Sequence, residues 1–215
     1  LMLKKKNRVL SIYPKKRSKD IFFVKLDNGK ILEISNIILT SESIKEGKEI
    51  DSLFLDNLLS KQEYQNIKNA GLSLLSYRMR SKKELHEKLV AKNYDSTKIE
   101  LVLIEFEKNG WINDEEFALA FSRDQINQNS IGPIALKYKL KKYIRSDDLI
   151  SNIVHSVYSE IDIESIIYKI LKKYTSDDIR ENHILRQKII NKLKRKGHYW
   201  QDINDSVNKY IEDCF

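Results

Sequence analysis

The chain has 215 residues, 41% hydrophobic and 33% charged, with a formal net charge of +8; that supplies a core under a heavily charged exterior and favours polyanion partners, nucleic acid first. Its one cysteine, Cys214, excludes an intrachain disulfide and a cysteine-built metal site and fits a reducing cytosol. No apolar run approaches the ~18 residues that span a bilayer, and residues 1–7 lack the apolar core and cleavage site of a signal peptide, so a cytoplasmic location is expected.

Ile21–Leu26 and Lys30–Ile34 are β-prone runs on either side of Asp27-Asn28-Gly29. The Asn-Gly pair offers the positive φ angles of a tight turn, which predicts a β-hairpin, and Val9–Tyr13 can add a third strand before Pro14. Residues 36–60 read as short helices with a turn near Gly47. From Lys61 onward the pattern is helical. Ile67, Leu72, Leu74 and Leu75 mark a first helix from Gln62 to Arg78. Ser81 and Glu84 form a capping box that opens a second helix to about Lys92. Asp95 caps a third, with Ile99, Val102, Leu103 and Phe106 on one face and Gly110 at its end. Asn113 with Glu116 opens the next helix, through Phe117, Ala120 and Phe121. Pro133 after Gly132 starts another, lined by Leu136, Leu140 and Tyr143, and Ser146 caps the one that follows. The last group runs from Asp162 through Ile166, Ile167 and Ile170, then a long basic helix ending at Gly197, then a helix with Trp200, Ile203, Val207 and Ile211.

A period runs through this helical part. Lys88-Leu89, Lys139-Leu140 and Lys192-Leu193 each close a basic stretch, 51 and then 53 residues apart, and Ile99, Ile150 and Ile203 each follow ten positions on. Such a period marks tandem helical units. The expected fold is therefore mainly all-α: three tandem three-helix repeats, 61–112, 113–160 and 161–215, in an elongated curved array, with an N-terminal β-hairpin subdomain with short helices over 1–60.

Charge segregates within the repeats. Residues 135–145 hold Lys137, Lys139, Lys141, Lys142 and Arg145 and no acid; residues 186–196 hold Arg186, Lys188, Lys192, Lys194, Arg195 and Lys196 and no acid. The first repeat has Arg78, Arg80, Lys82, Lys83, Lys88 and Lys92, diluted by Glu84 and Glu87. Lysines late in a helix also complement its dipole, but that explains 135–145 poorly, where no acidic partner appears. The candidate polyanion-binding residues, DNA first, are Arg78, Arg80, Lys82, Lys83, Lys88, Lys137, Lys139, Lys141, Lys142, Arg145, Lys192, Lys194, Arg195 and Lys196. Of the nearby aromatics Tyr77, Tyr94, Tyr138, Tyr143, Tyr199 and Trp200, core packing is the expected role of Tyr94, Tyr143 and Trp200, and Tyr77 is the candidate for stacking on bases. The four histidines have no metal-ligand spacing, no nucleophile elbow is present, and no glycine remains for a phosphate loop. No catalytic residue, metal or cofactor is expected; a structure-specific nuclease built from scattered carboxylates is a remote third reading.

Residues 74–85, Leu-Leu-Ser-Tyr-Arg-Met-Arg-Ser-Lys-Lys-Glu-Leu, followed by Lys88-Leu89, resemble the opening signature of the RecX family of recombination regulators. Gly110-Trp111-Ile112-Asn113-Asp114 with Phe117-Ala118 is similar to that family's second block, and Gly132-Pro133 with its basic helix to the third. Trp111 stands where tyrosine is more usual, and Ile144-Arg145 where a Gly-aliphatic pair is common. The resemblance covers about Ala70 to Tyr210, and the N-terminal hairpin resembles an extension found in part of the family. It implies a nine-helix array, and a cytoplasmic, non-enzymatic monomer that binds the RecA filament on single-stranded DNA, alters its ATPase and strand exchange, with inhibition the expected direction, and contacts DNA directly but more weakly. A stand-alone DNA-binding regulator is the alternative.

Overall fold

The computed structural model describes residues 6–212. Cys214 lies outside them. Two compact units emerge, one ending at Tyr77 and taking in Lys88–Glu105, the other comprising Arg78–Glu87 and the described residues from Phe106 on.

In the first unit, β1 (Asn7–Pro14), β2 (Ile21–Leu26), β3 (Ile31–Ser35) and β4 (Glu49–Ile50) form an antiparallel sheet in the order β3-β2-β1-β4. The hairpin and the third strand stand where the β-prone runs predict them, and β4 is an addition from the 36–60 region. The β2–β3 turn differs in detail: only Gly29 takes a positive φ, +84°, and its N–H donates to the Leu26 carbonyl at 3.0 Å. That is a turn closed by one left-handed residue rather than two. One face of the sheet buries Val9, Val24, Leu26, Leu32 and Ile34 against Ile38 and Leu39 of α1 (Asn36–Ser41) and Leu58 of α2 (Ser52–Leu75).

Helix α2 begins ten residues earlier than the periodicity predicts, because Asp51 accepts from the Phe54 N–H at 2.8 Å and supplies a cap. It passes unbroken through position 60. Buried Gln62 on α2 accepts from the Ser35 N–H at 2.7 Å, satisfying a backbone donor at the end of β3. On the same helix Tyr64 and Lys68 bind Glu105 at 2.6 and 2.5 Å.

The helices α3 (Lys82–Val90) and α4 (Ser96–Lys108) are followed in the second unit by α5 (Asp114–Asn129), α6 (Pro133–Leu140) and α7 (Asp147–Glu160). These last three enclose Phe117, Ile126, Leu136, Leu140, Ile150 and Val157. Phe117, Phe121 and Tyr143 form an aromatic trio with centroid separations of 5.1–6.0 Å, so Tyr143 packs as predicted. A second cluster joins α8 (Ile163–Leu171), α9 (Ser176–Glu181), α10 (His183–Arg195) and α11 (Trp200–Glu212) around Ile167, Leu171, Ile179, Leu193 and Ile203. The predicted caps operate: Asp95, Asn113 and Ser146 each accept from a backbone N–H in the first turn of their helix, and Asp162, read only as the start of the last group, caps α8 in the same way.

Eleven helices stand among the described residues, two more than the nine the resemblance implies; α1 belongs with the sheet, and α9 precedes the basic helix. That helix is shorter than the charge pattern suggests, since Thr175 and Asn182 each cap a separate start. α6 also ends early, at Leu140, so Lys141 and Lys142 occupy the following turn and Arg145 the segment beyond it.

Candidate functional site

The predicted cations occupy three environments. Arg78 and Arg80 lie in the loop before α3, not on the helix. Arg80 is only 8% exposed and is ion-paired with the equally buried Glu84. Glu84 also accepts from Arg78 at 2.5 Å. Ser81 caps α3 as predicted, accepting from the Glu84 N–H at 3.2 Å, but the Glu84 carboxylate bridges the two guanidiniums instead of turning back to the cap. Arg80 is therefore an internal brace, whereas Arg78 keeps half its side chain in water.

Lys82 and Lys83 are half-buried and committed to internal partners. Lys82 pairs with Glu107 at 2.7 Å, and its N–H donates to Asp114 at 2.7 Å. Burial raises the Asp114 carboxyl above its ordinary value, and that N–H pulls the other way. Lys83 donates to the Lys141 carbonyl at 2.9 Å. Lys88 is exposed on the last turn of α3. Tyr77 is 81% exposed.

A third group is drawn together in the second unit. Lys139 donates to Gln125 at 2.8 Å, and Lys196 donates to the Asn129 carbonyl one turn further along α5. Both ammoniums thus sit at the C-terminal end of α5, where unpaired carbonyls carry partial negative charge. Burial lowers the Lys196 proton affinity, and Lys192, Lys173 and Lys139 lower it further. Four lysines therefore share one electrostatic neighbourhood. Lys173 is absent from the predicted set; its signal was the Lys172-Lys173 pair closing α8, too short to stand out as a basic run. On α10, Lys188, Asn191, Lys194 and Arg195 line a common concavity. Trp200 is not core: it is 54% exposed, with the Lys194 ammonium 4.5 Å from its ring centroid. Lys137, Lys141, Lys142 and Arg145 are exposed; Lys137 donates to Ser151 at 3.2 Å and Lys141 pairs with Asp147 at 3.1 Å.

A backbone clasp holds α6 to the loop before α11. Gly132 N–H donates to the Lys196 carbonyl at 2.8 Å, and Ile134 N–H to the Gly197 carbonyl at 3.0 Å. A Cβ on Gly132 would lie 2.4 Å from the Gly197 oxygen; one on Gly197, whose φ is +83°, would lie 2.3 Å from the Ala135 nitrogen. Beside it His198 is 2% exposed, with Nε2 3.1 Å from the Ser130 carbonyl. Burial pushes the imidazole below its ordinary value. Among the described residues, no three His, Cys, Asp or Glu side chains gather closely enough to hold a metal ion, and no helix is long and apolar enough to cross a membrane.

The fold and its cationic faces define the class: a basic, mostly helical protein with a small antiparallel sheet at its N-terminal end. The profile described as "RecX, first three-helix domain" matches residues 68–105. Regulatory protein RecX of Bacillus cereus strain B4264 is 30% identical over 194 residues, 88% of this chain and 72% of that one. Its counterpart in Bacillus thuringiensis strain Al Hakam is 30% identical over 209 residues, 95% of this chain and 77% of the relative. Among solved structures, a crystal structure of regulatory protein RecX aligns with a TM-score of 0.72 and 21% identity, covering 96% of this chain and 99% of its own. RecX from Lactobacillus salivarius aligns with a TM-score of 0.62 and 22% identity, covering 70% and 97%. The chain belongs to the RecX family of regulatory proteins, and its role is regulatory.

Proposed function

We propose that this chain regulates RecA, binding the RecA filament on single-stranded DNA through its cationic faces and slowing ATP turnover and strand exchange. The observation that carries the reading, beside the family, is the meeting of Lys139 and Lys196 at the end of α5, where burial and the charges of Lys192, Lys173 and Lys139 lower the proton affinity of Lys196. Like charges held together at that cost are relieved by a polyanion. Occupying the filament groove would keep out a second DNA strand and hinder the subunit movements of ATP turnover. No chemistry at a catalytic residue is required. The expected state is a cytoplasmic monomer.

The test reverses exposed charges that bury nothing. Lys142→Glu with Arg195→Glu should abolish most inhibition of RecA ATPase on single-stranded DNA at about 0.15 M salt, with an unchanged circular dichroism spectrum. Full inhibition by that variant would sink the reading. A second reading, a stand-alone DNA-binding regulator, draws support from the α10 face that presents Lys188, Asn191, Lys194 and Arg195 together. It predicts sequence-selective duplex binding without RecA.

A further inference from the structure

We infer that the groove between α6 and α7 seats unstacked bases of single-stranded nucleic acid, with Tyr138 and Tyr199 as stacking platforms. This deepens the filament reading and rests on it only in requiring a single strand within reach. The groove encloses about 770 Å³, within the range of pockets that accept organic ligands. Its lining includes the aliphatic side chains of Ile134, Val154 and Ile163. Tyr158 forms part of the wall; its hydroxyl donates to the Ile131 carbonyl at 2.6 Å, which pins the ring in place. On the margin Tyr138 is 71% exposed and Tyr199 52% exposed, so neither ring is consumed by the core. The clasp between Gly132 and Gly197 ties Tyr199 to the start of α6, so the groove margin is held by backbone bonds.

Charge decides the occupant. Lys137 and Lys141 line the groove, and no carboxylate does among the described residues; Asp147 meets Lys141 from outside the lining. Two lysines of the cluster stand on the same two segments, Lys139 next to Tyr138 and Lys196 three residues before Tyr199. Lys137, Tyr138, Lys139 and Lys141 interleave a ring with ammoniums on the first segment, and Lys194, Arg195 and Lys196 precede Tyr199 on the second. Proteins that bind single strands pair aromatic platforms with a cationic track in this way. An acidic peptide would satisfy the lysines, but its spacing gives no reason for two exposed tyrosines beside them.

The test uses the full chain and a fluorescein-labelled oligo(dT) of roughly 20 nucleotides, without RecA. Tyr138→Ala and Tyr199→Ala should each weaken binding by about tenfold with thermal midpoints unchanged, and a 5-iodouracil-substituted strand should photocrosslink to one of these tyrosines. Affinity within about twofold of wild type in both variants overturns the inference, as does crosslinking confined to other residues, or a wild-type chain that does not bind oligo(dT). Loss of polyglutamate binding without loss of oligo(dT) binding overturns it in favour of an acidic protein partner. Tyrosine variants that still inhibit RecA while holding oligo(dT) normally sink the groove assignment alone; a wild-type chain that binds oligo(dT) but not the filament sinks the filament reading alone.

Discussion

Arg78 and Arg80 are two residues apart in one signature, yet one faces water and the other is sealed against Glu84. Both read as candidate polyanion contacts, because composition and spacing weigh them equally. Removing one partner of a buried pair strands the other charge, so Arg80→Ala should cost about 3 kcal/mol in urea unfolding at pH 7. Arg78→Ala should cost below about 1 kcal/mol, since its side chain is half in solvent. His198 supports a second prediction. The imidazole is buried with its Nε2 facing the Ser130 carbonyl and its Nδ1 without a hydrogen-bond partner, and burial disfavours its charged form. Its folded pKa lies below the ordinary 6.5, so the unfolded chain takes up the proton first. Stability is complete above 6.5 and falls as the pH drops from there toward the folded value. Thermal unfolding across that window should show the loss, and His198→Gln should flatten it.

At the scale of elements, the sharpest constraint is the clasp. A methyl group on Gly197 meets the Ala135 backbone and forces an L-residue into a left-handed φ. Gly197→Ala should destabilise the chain by about 2–3 kcal/mol, read as a lowered thermal midpoint. The Tyr64–Lys68–Glu105 group makes a different demand. Hydrogen bonds from Lys68 and Tyr64 hold the Glu105 carboxyl below its ordinary 4.5, and burial with Glu105 nearby raises the Tyr64 phenol to about 12. The Glu105 contribution is therefore present above 4.5 and lost as pH falls through its lowered folded value; Glu105→Gln should remove that acid-side loss in a denaturation series. Helix caps were legible in advance, because Asp95, Asn113 and Ser146 act on donors within three residues. Helix lengths were less so. α2 extends back to Asp51 because tertiary contacts reward Leu58 and Gln62 for being helical there, which local periodicity does not register.

For the whole molecule, the charge excess has one measurable consequence. If the cationic faces meet phosphates, affinity for single-stranded DNA should fall with a log–log salt slope of about 0.7 for each phosphate engaged, and Lys142→Glu with Arg195→Glu should make that slope shallower. The mostly helical class, the sheet at the N-terminal end and the family were all readable from the chain, since they depend on local signals: alternating β-prone runs, capping residues, a basic-Leu motif that recurs. Which cation is exposed was not. Lys139 and Lys196 are 57 positions apart and meet only because α5 offers both of them its carboxyl end, while Tyr138 and Tyr199 border one groove only because Gly132 and Gly197 let two backbones touch. Local patterning and composition carry periodicity and net charge; long-range packing alone settles the depth of a side chain and the neighbours it keeps.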